Sequence, residues 1–168
     1  MNMKHTLLAS GLVIALGVTG LAAPSAHAAI ATSTMPVTIT IQNACDVSSV
    51  APTSLDFGTQ GLLATAVNNT STLTVTCTSG AAYNIGLDGG GSGNINARVM
   101  NNGGNTIGYQ LYSDSGRTTV WGNTIGTDTL ASTGTGSAQS FTVYGQVPAQ
   151  ATPPAGVYND TVNVTVTY

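Results

Sequence analysis

Apolar and polar side chains alternate along most of this chain with a period of two, the signature of strands with one face turned inward. The longest unbroken run is Met35-Pro36-Val37-Thr38-Ile39-Thr40-Ile41-Gln42, which predicts a β-strand with Met35, Val37, Ile39 and Ile41 on one face. Pro36 is tolerated at the start of such a strand, where a missing N–H matters least. Leu55 and Phe57 form a short second row that Gly58 ends or bends. Leu73, Val75 and Cys77 give a third, Tyr83, Ile85 and Leu87 a fourth, and Ile107, Tyr109 and Leu111 a fifth with Tyr112 on the reverse face. Phe141, Val143 and Val147 follow, with Tyr144 reversed, and the chain closes on Val162, Val164, Val166 and Tyr168 in a strand expected to run to the last residue. Turns separate the rows: Pro52-Thr53-Ser54, Asp88-Gly89-Gly90-Gly91-Ser92-Gly93, Ser113-Asp114-Ser115-Gly116 and the proline-rich stretch 148–156. The stretch 122–137 is Gly, Thr and Ser with few apolar anchors and predicts a long surface loop. Seven or so short strands without a helical repeat predict an antiparallel β-sandwich of immunoglobulin-like type.

The one apolar stretch that does not alternate is at the start. Lys4, the apolar run 7–21 and the small-x-small site Ala26-His27-Ala28 have the form of a secretory signal peptide, residues 1–28. No later stretch is apolar for long enough to span a bilayer. Removing 28 of the 168 residues leaves 140, the size of one domain with its own core. Two arginines, Arg98 and Arg117, then face six aspartates and no glutamate, a net charge of −4. Nucleic acid is excluded as a partner, because phosphate binding needs clustered Lys and Arg. Export also bears on Cys45 and Cys77, the two cysteines, which in a secreted chain most simply form one disulfide. They have neither CxxC spacing nor a histidine beside them for a redox or zinc site.

Cleavage removes every histidine and lysine, so Ser-His-Asp, Cys-His and Ser-Lys nucleophiles are unavailable, and the chain reads as no enzyme. None of the aspartates sits in a motif that demands a catalytic pair or a metal, and no cofactor is expected. The glycine cluster 89–93 lacks the Gly-Lys-Ser/Thr of a phosphate loop and is expected to be flexible. Trp121, the single tryptophan, is expected to plug one end of the core; exposed, it would mark a sugar-stacking platform.

The strand before Cys45, Leu55-Asp56-Phe57-Gly58, Leu73-Thr74-Val75-Thr76-Cys77, Arg98-Val99-Met100, Tyr109-Gln110-Leu111-Tyr112, Trp121-Gly122, Tyr144-Gly145-Gln146-Val147-Pro148 and Gly156-Val157-Tyr158-Asn159-Asp160-Thr161-Val162 follow one another in an order that resembles the spore coat protein U family, which includes subunits of archaic chaperone–usher pili. The resemblance covers essentially the whole mature chain. It implies an incomplete immunoglobulin-like sandwich, residues 43–168, lacking its last strand and completed by donor-strand complementation. Residues 29–42 would be the donor segment, with Met35, Val37, Ile39 and Ile41 as donor residues; Val162, Val164, Val166 and Tyr168 would form one wall of the acceptor groove. The implied partners are like subunits in a homopolymer, a periplasmic chaperone and an outer-membrane usher. The implied location is the cell surface, with a role in adhesion or biofilm formation. On the residues alone, 35–42 serves equally as the first strand of a self-contained sandwich. A self-complemented coat protein and a carbohydrate-binding sandwich are therefore the alternatives.

Overall fold

A computed structural model of the chain describes residues 27–47 and 52–168; the expected signal region before residue 27 lies outside them. The chain falls into two units, Met1–Ile39 and Thr40–Tyr168. In the first unit the described residues, 27–39, form no helix or strand and are exposed.

The second unit is all-β, with one short 3-10 turn at Gly90–Ser92 among the described residues. Its strands are β1 (Cys45–Asp46), β2 (Val67–Cys77), β3 (Ala82–Leu87), β4 (Arg98–Asn102), β5 (Asn105–Tyr112), β6 (Leu130–Thr133), β7 (Ala138–Val147) and β8 (Val164–Thr167). They form two antiparallel sheets, one ordered β1-β2-β7-β5-β4 and the other β6-β3-β8. The predicted inward rows face each other across the sandwich: Leu73, Val75 and Cys77 of β2, Tyr83, Ile85 and Leu87 of β3, Tyr109 and Leu111 of β5, and Val143 and Val147 of β7 are all buried. Each such side chain contributes roughly 1.5–3 kcal/mol on leaving water, while the alternate threonines of β2 coat the outside.

Cys45 and Cys77 are disulfide-bonded, with Cys77 in the core. Trp121 is fully buried and donates its indole N–H to the Ile85 carbonyl at 2.8 Å, so it is a core plug and no sugar platform.

Residues 35–42 form no strand in the single chain. Three expectations are corrected. The expected loop 122–137 contains β6, an edge strand held by backbone pairing with β3 and anchored by the half-buried Leu130, too little apolar pattern to show in the sequence. The closing strand is short: 157–163 has no strand, because β8 pairs with β3 only from Val164↔Leu87 to Asn84↔Thr167, and Tyr168 lies beyond the ladder, 60% exposed. The glycine cluster is a packed turn rather than a flexible loop; a Cβ at Gly89 would sit 2.3 Å from the Asn94 nitrogen, so only glycine fits.

Candidate functional site

The two sheets do not close along one side. Beyond β1, the edge of the larger sheet continues as an irregular segment that lies along β2: the Thr53 amide donates to the Thr72 carbonyl at 3.0 Å, and Asn69 Nδ2 donates to the Asp56 carbonyl. Leu55 and Phe57 of this segment turn inward over Gly145 of β7, where an added Cβ would lie 2.4 Å from Leu55 Cδ2 and 3.0 Å from Phe57 Cζ. Opposite stands β8, which is paired on one side and open on the other. Between Leu55 and Phe57 on one wall and Val162 and Val164 on the other runs a groove of about 1130 Å³. Its floor is apolar, including Leu73, Leu87, Tyr109, Leu111, Val143 and Val147.

The groove occupies one half of the sandwich. Floor residues come from the Val67 end of β2 and the Val147 end of β7, which pair with each other, whereas the disulfide ties the opposite end, where Cys45 pairs with Cys77. At that opposite end the chain preceding β1 is held by Thr78. The Ala44 carbonyl accepts from the Thr78 amide at 2.9 Å, the Ala44 amide donates to Thr78 Oγ1 at 3.1 Å, and Thr78 Oγ1 lies 3.3 Å from the Gln42 carbonyl. Because β1 and β2 are antiparallel, tracing backwards from Cys45 leads past Cys77 and away from the groove.

A polar cluster buttresses the β8 wall. Asp160 accepts from Tyr109 Oη at 2.6 Å and from the Gly91 amide at 2.8 Å. Asp88 accepts from the Gly90 and Asn163 amides at 3.0 and 2.9 Å and from Asn163 Nδ2 at 2.6 Å. Beneath them Arg98, 1% exposed, donates to the carbonyls of Asp88, Leu87 and Trp121 at 2.8, 2.9 and 2.8 Å, and to Gln110 Oε1 at 2.6 Å. A buried cation is tolerable when its donors are satisfied in this way. Burial pulls the Arg98 guanidinium below its ordinary range. Burial, and then the bond to Asp160, push the Tyr109 phenol well above its own. For Asp88, partial burial acts to raise the carboxyl, and the hydrogen bonds from Asn163 and Gly90 outweigh it, so the net direction is down. These aspartates organise turns and the groove rim, and no group of three or more His, Cys, Asp or Glu among the described residues could hold a metal ion.

Of the expected acceptor residues, Val162 and Val164 line the groove, Val166 packs on the core, and Tyr168 stands on the outside near Tyr83 and Thr133. Met35, Val37, Ile39 and Ile41 are 82%, 82%, 85% and 70% exposed. Sequence reasoning placed the floor residues on inward rows without marking them as groove, since only the packing of the two sheets shows which half of each row is left uncovered. Arg98 was missed as a buttress. The signal available was that it is one of few charges in a strand-rich chain.

Residues 31–165 match the Spore Coat Protein U domain. The chain belongs to the spore coat protein U family. Among curated relatives, it is 35% identical over 158 residues to Protein U of Myxococcus xanthus, covering 85% of this chain and 88% of that protein. Among solved structures, this family member resembles a chain in the chaperone–tip adhesion subunit pre-assembly complex (CsuC–CsuE) from archaic chaperone–usher Csu pili of Acinetobacter baumannii. The TM-score is 0.52 and the identity 22%; the match covers 77% of this chain and 40% of that one, a likeness of fold.

Proposed function

We propose that this chain is an exported, non-enzymatic structural subunit that polymerises into a surface pilus by donor-strand exchange. In this reading 35–41 of one copy fills the groove of the next. The observation that carries it is polarity: the groove occupies the half of the sandwich that holds Val67 and Val147, whereas residues 42–44 are tethered by Thr78 at the disulfide end. To reach its own groove, Ile41 would have to reverse direction within three residues, two of which, Gln42 and Ala44, are bonded to Thr78. A neighbour's groove needs no such reversal, and a contact between unlike ends propagates as an open filament.

The dimensions agree. Val67 to Leu73 along the floor, and Met35 to Ile41 along the donor, are each six residue steps, about 20 Å of extended strand. Burying the four donor side chains would contribute on the order of 6–12 kcal/mol before ordering costs. Ladder bonds to the open edge of β8 add about 0.5–1.5 kcal/mol each. A slip of one residue would turn the donor face to solvent, so the strand sets its own register. Until a neighbour arrives, so large an apolar groove needs a temporary occupant, which is the part a periplasmic chaperone would play, with an outer-membrane usher directing the exchange. Adhesion or biofilm support would be the outcome of such a fibre.

The match to the Spore Coat Protein U domain favours, as the second reading, a coat protein, which would then complete its own fold. Periplasmic expression of the full precursor, with and without a co-expressed periplasmic pilus chaperone, separates the two. A one-to-one chaperone complex, with polymer or degradation in its absence, supports the pilus subunit. A stable chaperone-free monomer supports the self-complemented protein.

A further inference from the structure

The outer face of the larger sheet carries a second feature that strand exchange leaves unused. Tyr112 of β5 and Tyr144 of β7 are direct cross-strand partners, flanked by Leu111↔Gly145 on the inward face, so both rings stand on the outer face with Cβ atoms about 5 Å apart. Thr70 of β2 is the partner of Tyr144 on its other side, and the adjacent row holds Asn68 and Gln146, joined by a 3.0 Å hydrogen bond. Over the Tyr144 ring lies the Arg117 guanidinium, 5.9 Å from its centroid. Arg117 is pinned there by Nε, which donates to the Gly145 carbonyl at 3.2 Å, and by Nη1, which donates to the Ser115 carbonyl at 3.4 Å.

Two facts about Arg117 separate it from ordinary surface decoration. Among the described residues it is the one non-glycine with positive φ, 55°, a conformation that glycine or asparagine adopts at less cost. It is also one of two arginines in the chain, and the other, Arg98, is buried. The acidic group of the same loop, Asp114, is engaged by the Thr118 amide and hydroxyl and the Thr119 amide at 3.0, 2.9 and 2.7 Å. A strained, oriented cation on a two-tyrosine platform with amides alongside has the chemistry to take a sugar ring that carries a carboxylate. Tyr112 offers its ring to the pyranose C–H face, the guanidinium lying over Tyr144 offers its remaining N–H groups to the carboxylate, and Asn68 and Gln146 meet hydroxyls.

We propose that the Tyr112–Tyr144–Arg117 platform is a binding site for acidic polysaccharide, of uronate type, on the outward face of each subunit. The site does not depend on how the groove is filled. Electrophoresis of the full exported chain, in whatever assembly it adopts, through gels containing alginate or neutral dextran tests it. The mature protein is itself anionic, so unspecific attraction to alginate is absent. Expected is retardation by alginate at low salt and none by dextran. Arg117→Gly should weaken retardation at least tenfold while its melting temperature stays equal or rises, because the positive φ is relieved. Arg117→Lys should weaken it less. If Arg117→Gly melts lower, Tyr112→Leu decides: lost retardation at unchanged melting temperature supports the site, and retained retardation overturns it. Equal retardation of Arg117→Gly and wild type, equal retardation by both polymers, or none by either would also overturn it.

Discussion

Ile39→Asp separates folding from assembly more sharply than any other single change. In the free chain Ile39 is 85% exposed, so the substitution removes little buried surface and should leave the melting temperature of the chaperone-bound or monomeric subunit unchanged. In a neighbour's groove the same position would face an apolar floor. The loss there is the burial of an isoleucine, about 1.5–3 kcal/mol, together with the cost of desolvating a carboxylate that has no partner, several kcal/mol more. Against a donor face of about 6–12 kcal/mol, that removes most of the driving force. Size-exclusion chromatography and electron microscopy of exported material should show subunits without fibres. Thr40→Asp, one residue on and facing away from the groove, should still polymerise. Normal fibres from Ile39→Asp, or equal failure of both variants, would refute the reasoning.

The remaining expectations concern the subunit itself. Cys45→Ser opens a loop of sequence separation 32 and should lower unfolding stability by roughly 3–4 kcal/mol in denaturant titration, leaving residues 35–41 unchanged. Arg98→Met leaves the Leu87, Asp88 and Trp121 carbonyls without their donor and should cost about 3–5 kcal/mol, read as a lower urea midpoint. Asp88 has a native carboxyl held below its ordinary value of 3.8, so its contribution is present above that pH and is lost as pH falls through the native value; Asp88→Asn should flatten the acid limb of a stability–pH curve.

How much of this was legible in the sequence follows from how each element is held. Strands buried between two sheets announce themselves, because Leu73, Val75 and Cys77 or Tyr83, Ile85 and Leu87 must alternate to face a common core. Edge strands do not: β6 is paired on one side, with Leu130 its main anchor, and β4 carries Arg98 at its inward position, where an apolar residue would have given the pattern. The segment 35–42 alternates as cleanly as any core strand yet has no ladder in the single chain, since a strand pattern encodes a face to bury and says nothing of whose face covers it. The groove was half legible. Val162 and Val164, on one inward row in the sequence, line the groove, but the opposing wall of Leu55 and Phe57 depends on Gly145 making room for them, a long-range fit that local pattern does not carry.

The central claim is that the groove of one copy takes the donor segment of another. The measurement that tests it most directly is photo-cross-linking from a benzoyl-phenylalanine at position 37, using chains produced as a mixture of ¹⁴N- and ¹⁵N-labelled material and analysed by mass spectrometry. The account predicts cross-links from position 37 to the groove, to Leu73, Val143 or Val162, with mixed-isotope pairs at the frequency random assortment gives. Cross-links to the same residues found only within one isotope would show that each chain fills its own groove, and would contradict it.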